Sequence, residues 1–375
     1  MIRVAVDLTW CRHNKVGGTE SYIRNVLKGI ISANPEDLEL NLILAKDNAS
    51  SFAMYDDSYV KHIVCDVESE NVAKRIIWQN MQLRKVLRKH QISILFEPVY
   101  SMPFLGMSGI KVITTIHDLQ ALHYPEYFSK AKVFWMHISW RNAVKKSEKV
   151  IAISEFVRDD IINYLKASPE KVVKIYNSID IDTDECAPDE GLSKYGVEKK
   201  GYYYTVSSLL PHKNLNTLVL AMSELYNKNS KVLFPLIISG VGGSEKERIT
   251  ELAEVNGIGE YIKITSYVDN AERNMLYKNC KAFLFPSIFE GFGMPPVEAM
   301  VMRVPVVTTK CTSLYEVTGG IVNYVDDPRN ELDWVRVIEN GPLVVYEQEK
   351  FVIENYSNKK VGLDYLRLLY EVANN

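Results

Sequence analysis

Short apolar runs rich in valine, isoleucine and phenylalanine alternate along this chain with longer stretches of helical period. IRVAVDL, LELNLILA, ISILFEP, KVITTIHD, KVIAIS and KVVKIYN read as strands in the first half. YYYTVSS, LFPLIISG, YIKITSY, KAFLFPS and VPVVTT read as strands in the second. Between them, 19–32, 72–90, 214–229, 245–257, 271–279 and 296–302 carry helical spacing. Strand–helix alternation run through twice predicts α/β architecture with parallel sheets in two Rossmann-like domains. The break falls in IDIDTDECAPDEGLSKYGVEKKG, 179–201, which is polar, acidic and without apolar period. The expected division is 1–190, 191–355, and a last helix in 356–375 that packs back toward the first domain. That helix has Ser357 at its N-cap and apolar spacing at Val361, Tyr365, Leu368 and Leu369.

Length and composition narrow the class. A chain of 375 residues suits two cores better than one. At 47% apolar and 24% charged it is neither disordered nor fibrous. Its five cysteines include no Cys-x-x-Cys, which argues against a disulfide framework and a structural zinc site and suits a reducing compartment. MIRVAVDLTW reads as a first strand rather than a signal peptide, and no apolar run reaches about 18 residues, so the expected location is cytoplasmic. A net charge of −3 gives no electrostatic claim on nucleic acid. Residues 1–180 hold 24 Lys+Arg against 20 Asp+Glu, and the remainder 20 against 27, which suggests modules facing different partners.

In open α/β sheets ligands bind beyond the carboxyl ends of the strands, so with two such domains the expected site is the cleft between them. One stretch stands out there: FEGFGMPPVEAM, 289–300, directly after KAFLFPS. Gly291 and Gly293 let the main chain approach a ligand, and a helix beginning near Pro295 adds partial positive charge. Pro295 and Pro296 lack N–H groups, so an anion would be met by the amides of 291–294. Glu290 on the loop and Glu298 in the first helical turn can hold two ends of one extended ligand. A helix carboxylate plus an unrelated surface glutamate is the plainer alternative, and the glycines argue against it. In the first half, Gly17 and Gly18 precede a helix that starts near Thr19; Thr19 as N-cap with outward amides would make an anion site, the alternative being a simple tight turn. His117 follows KVITTI at a strand end, with Asp118 beside it to orient the loop. Ser154 reads as the N-cap of the next helix, with Arg158 on it.

E-x7-E around GFGMPPVEAM resembles the donor-site signature of family 4 glycosyltransferases, retaining enzymes of the GT-B fold. GGTESY at 17–22, TIHDLQ at 115–120, ISEFVRDDI at 153–161, NSID at 177–180 and LLPHKNL at 209–215 match family motifs in order, from residue 1 to about 330. The IHDL and EGFGMPP forms are similar to those of bacterial mannosyltransferases of surface polysaccharide (lipopolysaccharide) assembly. The resemblance implies that Glu298 accepts from the ribose hydroxyls of a nucleotide. Glu290 would bind hydroxyls of the transferred sugar and stabilise its anomeric centre. Amides of Gly291, Phe292, Gly293 and Met294 would orient sugar and diphosphate, and Lys213 would neutralise the leaving diphosphate. Gly17 and Gly18 would meet donor phosphate or acceptor, and His117 the donor sugar or reacting groups. Where the family has Arg or Thr and Gly, five and six residues before that lysine, this chain has Ser208 and Ser207. Ser208 is then a hydroxyl donor, and His212 a candidate to replace the missing cation.

The implied donor is GDP-mannose first and a UDP sugar second; the implied acceptor is a saccharide, with a polyprenyl-diphosphate-linked one among the options. No cofactor and no metal are expected. Double displacement needs a separate carboxylate nucleophile, and no such candidate stands out; the resemblance implies front-side transfer instead. The alternatives are an epimerase or phosphorylase of the same fold, or a non-catalytic nucleotide-sugar binder. A nicotinamide oxidoreductase is disfavoured because SGVGGSE, 239–245, has Glu245 where the dinucleotide fingerprint needs its third glycine. Asp-x-Asp spacing in DIDTDE, 180–185, lies in the expected linker and reads weakly as a metal site. Two basic stretches with aromatics, 74–89 and 128–149, read either as solvated faces or as peripheral contact with the inner face of a membrane.

Overall fold

The computed structural model describes the chain from Met1 to Asn375 except residues 14, 16, 56, 181, 182, 209, 230–232, 241, 344 and 345. It divides into two compact units: Met1–Asp180 with Asn355–Asn375, and Ile181–Glu354. The polar stretch after Asp180 belongs to the second unit, where a 3-10 helix, Asp189–Tyr195, buries Leu192 and Tyr195.

The first unit is built on seven parallel strands among the described residues: β1 (Ile2–Asp7), β2 (Leu38–Ala45), β3 (Val60–Cys65), β4 (Ile94–Glu97), β5 (Lys111–Ile116), β6 (Lys149–Ala152) and β7 (Val172–Lys174). Their order is β3-β2-β1-β4-β5-β6-β7, with Val4 and Ile94 in register across the central pair. The second unit has six: β8 (Tyr203–Val206), β9 (Leu236–Ser239), β10 (Ile262–Ile264), β11 (Ala282–Phe285), β12 (Val306–Thr308) and β13 (Asn323–Tyr324), ordered β10-β9-β8-β11-β12-β13. In both sheets the winding reverses beside the first strand, which opens a crevice at the carboxyl ends of β1/β4 and of β8/β11. β3 and β13 are strands that the apolar pattern did not announce. β3 is an edge strand whose middle residues, Lys61 and His62, face solvent, and β13 is two residues long.

The helix Gly18–Ser32 buries Tyr22, Ile23, Val26, Leu27 and Ile30 on one face. Against it lies the last helix, Asn358–Asn374, which buries Val361, Tyr365, Leu368 and Leu369. Gly29 and Gly362 let the two backbones touch: a Cβ on Gly362 would sit 2.3 Å from the carbonyl carbon of Gly29. Ser357 takes the N-cap position, but its side chain makes no capping hydrogen bond. It pairs instead with Ile179 in an isolated parallel bridge that closes the helix onto the chain exit. The stretch 72–90 is interrupted: a π turn, Gln79–Leu83, separates Val72–Trp78 from Arg84–Lys89. It turns Gln79 into the interior, where its amide donates to Asp7 Oδ2 at 2.7 Å. No helix among the described residues is long and apolar enough to cross a membrane.

Candidate functional site

In the second unit the chain leaves β11 at Phe285 and reaches Gly293 through a loop pinned from behind by the segment after β12. Thr309 Oγ1 donates to the Ser287 carbonyl at 2.7 Å, and Ser313 Oγ lies 2.9 Å from the carbonyls of Glu290 and Phe292. The Glu290 amide donates to Thr312 Oγ1 at 2.9 Å. Gly293 takes φ 94°, a conformation that favours glycine, and a Cβ there would push on the tip of Leu314, whose Cδ2 would lie 2.6 Å away. The helix starts at Met294, one residue before the expected proline, without a side-chain cap. Gly291, Phe292, Gly293 and Met294 thus lie together where the loop turns into the helix, with the N-terminal partial charge of the helix at that end.

Two acids flank this turn in unlike settings. Glu290 pairs with Lys213, Nζ to Oε1 at 2.6 Å, and the two side chains are 12% and 17% exposed. Lys213 ends a one-turn 3-10 helix, Pro211–Lys213, and stands 5.6 Å from the centre of the Phe285 ring. Glu298 is the fifth residue of its helix, so it lies in the second turn rather than the first, and it is buried. There it accepts from Tyr277 Oη at 2.9 Å. One turn before Tyr277, Arg273 is held above the usual arginine range chiefly by the Glu298 carboxylate, and its Nε is buried without an acceptor among the described residues. Arg273 and Tyr277 were missed in the sequence. Their i, i+4 spacing in AERNMLYKN was a signal that they share a helix face, but nothing tied that face to Glu298.

His212 is turned into the core, edge-on to Phe289 with ring centres 6.5 Å apart, while its carbonyl accepts from the Ile288 amide at 2.9 Å. Burial, with Lys213 adding to it, pulls its pKa down to about 4. The imidazole is therefore neutral near pH 7 and supplies no cation beside Lys213. Ser208 is exposed at the end of β8, and its carbonyl accepts from Ser207 Oγ at 3.0 Å. Leu209 in the LLPHKNL motif, Val241 in SGVGGSE and Asp182 in the Asp-x-Asp stretch lie outside the described residues. Asp180 of that stretch pairs with Lys28 at 2.6 Å.

In the first unit the N-cap is Gly17, with φ 58°, and not Thr19, which lies inside the helix that begins at Gly18. The positive φ at Gly17 makes the turn one residue pair earlier than a threonine cap would. The amides of Glu20 and Ser21 point back to the Gly17 carbonyl, at 2.9 and 3.3 Å. The anion site expected there is thereby reduced to the turn at Gly17 and Gly18 itself. His117, at the carboxyl end of β5, is half-buried, and desolvation pulls its pKa down to about 4. Its Nε2 lies 2.9 Å from the Pro98 carbonyl, which requires the proton on Nε2 and leaves Nδ1 as an acceptor. Tyr22 meets the ring edge-on at 4.6 Å. Asp118 Oδ1 accepts from the Gln120 amide at 3.0 Å, and Ser154 Oγ from Val157 at 3.2 Å. Arg158 is close to Glu155 and Asp159, at 3.8 and 3.9 Å.

Two parallel α/β units, each with candidate side chains at its topological switch point, have the two-domain architecture of the GT-B type. The family description Glycosyltransferase Family 4 matches residues 16–183, and Glycosyl transferases group 1 matches residues 192–339. The chain belongs to these glycosyltransferases. It is 32% identical over 228 residues to the O-antigen chain mannosyltransferase B of Escherichia coli, across 60% of this chain and 58% of that protein. It is 26% identical over 326 residues to the O-antigen chain mannosyltransferase RfbU of Salmonella typhimurium, across 84% of this chain and 83% of the other. The fold is shared with Anabaena HepE in complex with UDP-glucose, at TM-score 0.76 and 17% identity, covering 99% of this chain and 100% of that one.

Proposed function

We propose that this glycosyltransferase moves mannose from GDP-mannose to a saccharide acceptor with retention of configuration, UDP sugars being the second choice of donor. The observation that carries the reading is the half-buried Lys213–Glu290 pair beside the glycine turn, with Glu298 buried on the helix that follows. The mannosyltransferase names of the curated relatives favour mannose. Glu298 accepts from the ribose hydroxyls, while Glu290 holds hydroxyls of the sugar and offsets charge at the anomeric carbon. Lys213, the amides of 291–294, and the hydroxyl of Ser208 take the diphosphate. In the first unit Gly17 and Gly18 serve donor phosphate or acceptor, and His117 serves the sugar as a neutral acceptor through Nδ1. The bond from the anomeric carbon to the phosphate oxygen breaks as the acceptor oxygen bonds on the same face. The acceptor proton passes to the departing diphosphate. No metal or cofactor takes part. Positioning and charge stabilisation supply most of the acceleration.

A panel of nucleotide sugars read by thermal shift tests this. GDP-mannose at a hundredfold excess over Kd is expected to stabilise the protein by about 2.7 kcal/mol, and mannose transfer should follow, with the product anomer read by NMR. Stabilisation by UDP sugars alone would move the donor, and stabilisation by none would remove the reading.

The enzyme works at the inner face of the cell membrane as a peripheral protein. Support comes from apolar side chains held at the first unit's surface: Ile77, Met81, Leu105, Phe134, Trp135 and Ile138 are all exposed, Phe134 at 68%. Asn80 Oδ1 accepts from the amides of Phe104 and Leu105, and the Phe104 and Trp135 rings are 5.4 Å apart, so the three segments share one surface. Trp140, by contrast, is fully buried. Co-sedimentation with anionic vesicles is expected to fall about tenfold or more when Lys85 and Arg88 are reversed to glutamate and Phe134 to serine. Unchanged binding would dispose of the membrane contact.

A further inference from the structure

At the carboxyl ends of β1, β4 and β5 the first unit holds a cavity of about 790 Å³. Its wall carries four cations, Arg12, Lys15, Arg75 and Lys132, against one carboxylate, Asp118. Lys15 is matched by Glu70 at 2.6 Å. The other three form no ion pair among the described residues. Lys132 rests over the Phe128 ring at 4.8 Å. Arg75 donates through Nη1 to the Ser69 carbonyl at 3.1 Å, and its Nε is buried with no acceptor among the described residues. The side chain of Arg12 makes no hydrogen bond among them.

What lies beneath does not cancel this charge. Asp7 is engaged by Thr9, at 2.7 Å, and by Gln79, at 2.7 Å. Glu97 is fully buried, and burial together with the charge of Asp7 pushes its carboxyl well above the usual range, so it stays neutral under Arg75. Asp7 beneath and Asp118 on the wall therefore face two guanidiniums and an ammonium, which leaves the cavity net positive. Guanidinium forks match phosphate oxygens bidentately, and a half-enclosed cavity strengthens the attraction. Around the cations the wall is aromatic, with Trp10, Tyr100, Phe104 and Trp135.

We propose that this cavity binds a phosphate or diphosphate ester, with Arg12 and Arg75 on the phosphate oxygens and the aromatic wall against the esterified group. Joined to the transferase reading above, it makes the acceptor a phosphate ester, lipid-linked or free. The binding itself can be measured without transfer. Calorimetry on the full chain, with GDP present at saturation to occupy the nucleotide site, would use inorganic diphosphate, mannose 1-phosphate, farnesyl diphosphate and neutral octyl mannoside as probes. The phosphate probes are expected to bind, and Arg12→Gln to weaken them about tenfold or more, Arg12→Lys recovering part of the loss. Octyl mannoside should be indifferent to Arg12. Arg75→Gln should act in the same direction; Arg12, which has no side-chain partner to lose among the described residues, carries the test should that variant fail to fold. Farnesyl diphosphate outbinding mannose 1-phosphate identifies a lipid-linked ester, and the reverse a free sugar phosphate. The proposal is overturned by phosphate probes that do not bind beside GDP, that GDP displaces, or that ignore Arg12→Gln. If no nucleotide sugar binds while these probes do, the transferase reading fails and this one stands.

Discussion

Replacing Glu290 with glutamine is expected to cut mannose transfer by about a hundred- to a thousandfold and, at the same time, to tighten the binding of GDP by about tenfold. The two effects have one origin. Lys213 and Glu290 satisfy each other at 2.6 Å in a setting where both side chains are largely removed from water. A nucleoside diphosphate that needs Lys213 must draw it from that pair, so part of its attraction is spent on an interaction already made. Glutamine keeps the shape and removes the charge. The ammonium is then left half-buried without its counter-ion, a costly state that a diphosphate relieves on binding. Transfer suffers because the carboxylate that offsets charge at the anomeric carbon is gone. Binding of GMP, which lacks the β-phosphate, should gain less than binding of GDP. Lys213→Met should weaken GDP, and in the double variant the Glu290 substitution should no longer tighten anything. Calorimetry with GMP and GDP, beside a transfer assay, checks all of this. Unchanged transfer in the glutamine variant would remove Glu290 from the chemistry. GDP binding that weakens instead would show that the pair is not a brake on the diphosphate.

The strands that build both crevices were legible in the sequence because each is a short apolar run, as in KAFLFPS and IRVAVDL. β3 was not, since Val60 and Cys65 are buried while Lys61 and His62 face water at the sheet edge. The E-x7-E block was legible as a turn with two acids, but the fate of each acid depended on partners far along the chain. Lys213 is 77 residues from Glu290, and Tyr277 is 21 from Glu298. Periodicity carries no information about such pairs. The Thr19 cap failed for a local reason: a glycine with positive φ two residues earlier starts the helix sooner. The π turn that brings Gln79 to Asp7 is likewise silent in the sequence, because the residues around it keep an ordinary helical pattern.

The contact between the two helices at Gly29 and Gly362 is where a single methyl group should do most damage to the fold. A Cβ on Gly362 would lie 2.3 Å from the Gly29 carbonyl carbon and 2.4 Å from its oxygen; one on Gly29 would lie 2.4 Å from the Asn358 oxygen. Both obstacles are main chain, so no rotamer change relieves them, and the helices must move apart. Movement there loosens more than one contact. Tyr365 Oη lies 2.7 Å from Tyr22 Oη, which reaches Thr115 Oγ1 at 2.8 Å, and the Tyr22 ring holds His117 edge-on. Gly362→Ala is therefore expected to cost about 3 kcal/mol, the upper end of ordinary overpacking, and to lower the melting temperature by about 10 °C. Gly362→Val should cost more. Gly242→Ala is the control, because a Cβ at that position meets nothing within 4 Å. The substitutions at Gly29 and Gly362 share one contact, so their costs should not add; once the helices have separated, the second methyl finds room already made. A melting temperature for Gly362→Ala within a degree of the parent would mean that the last helix is not seated as closely as its glycines require.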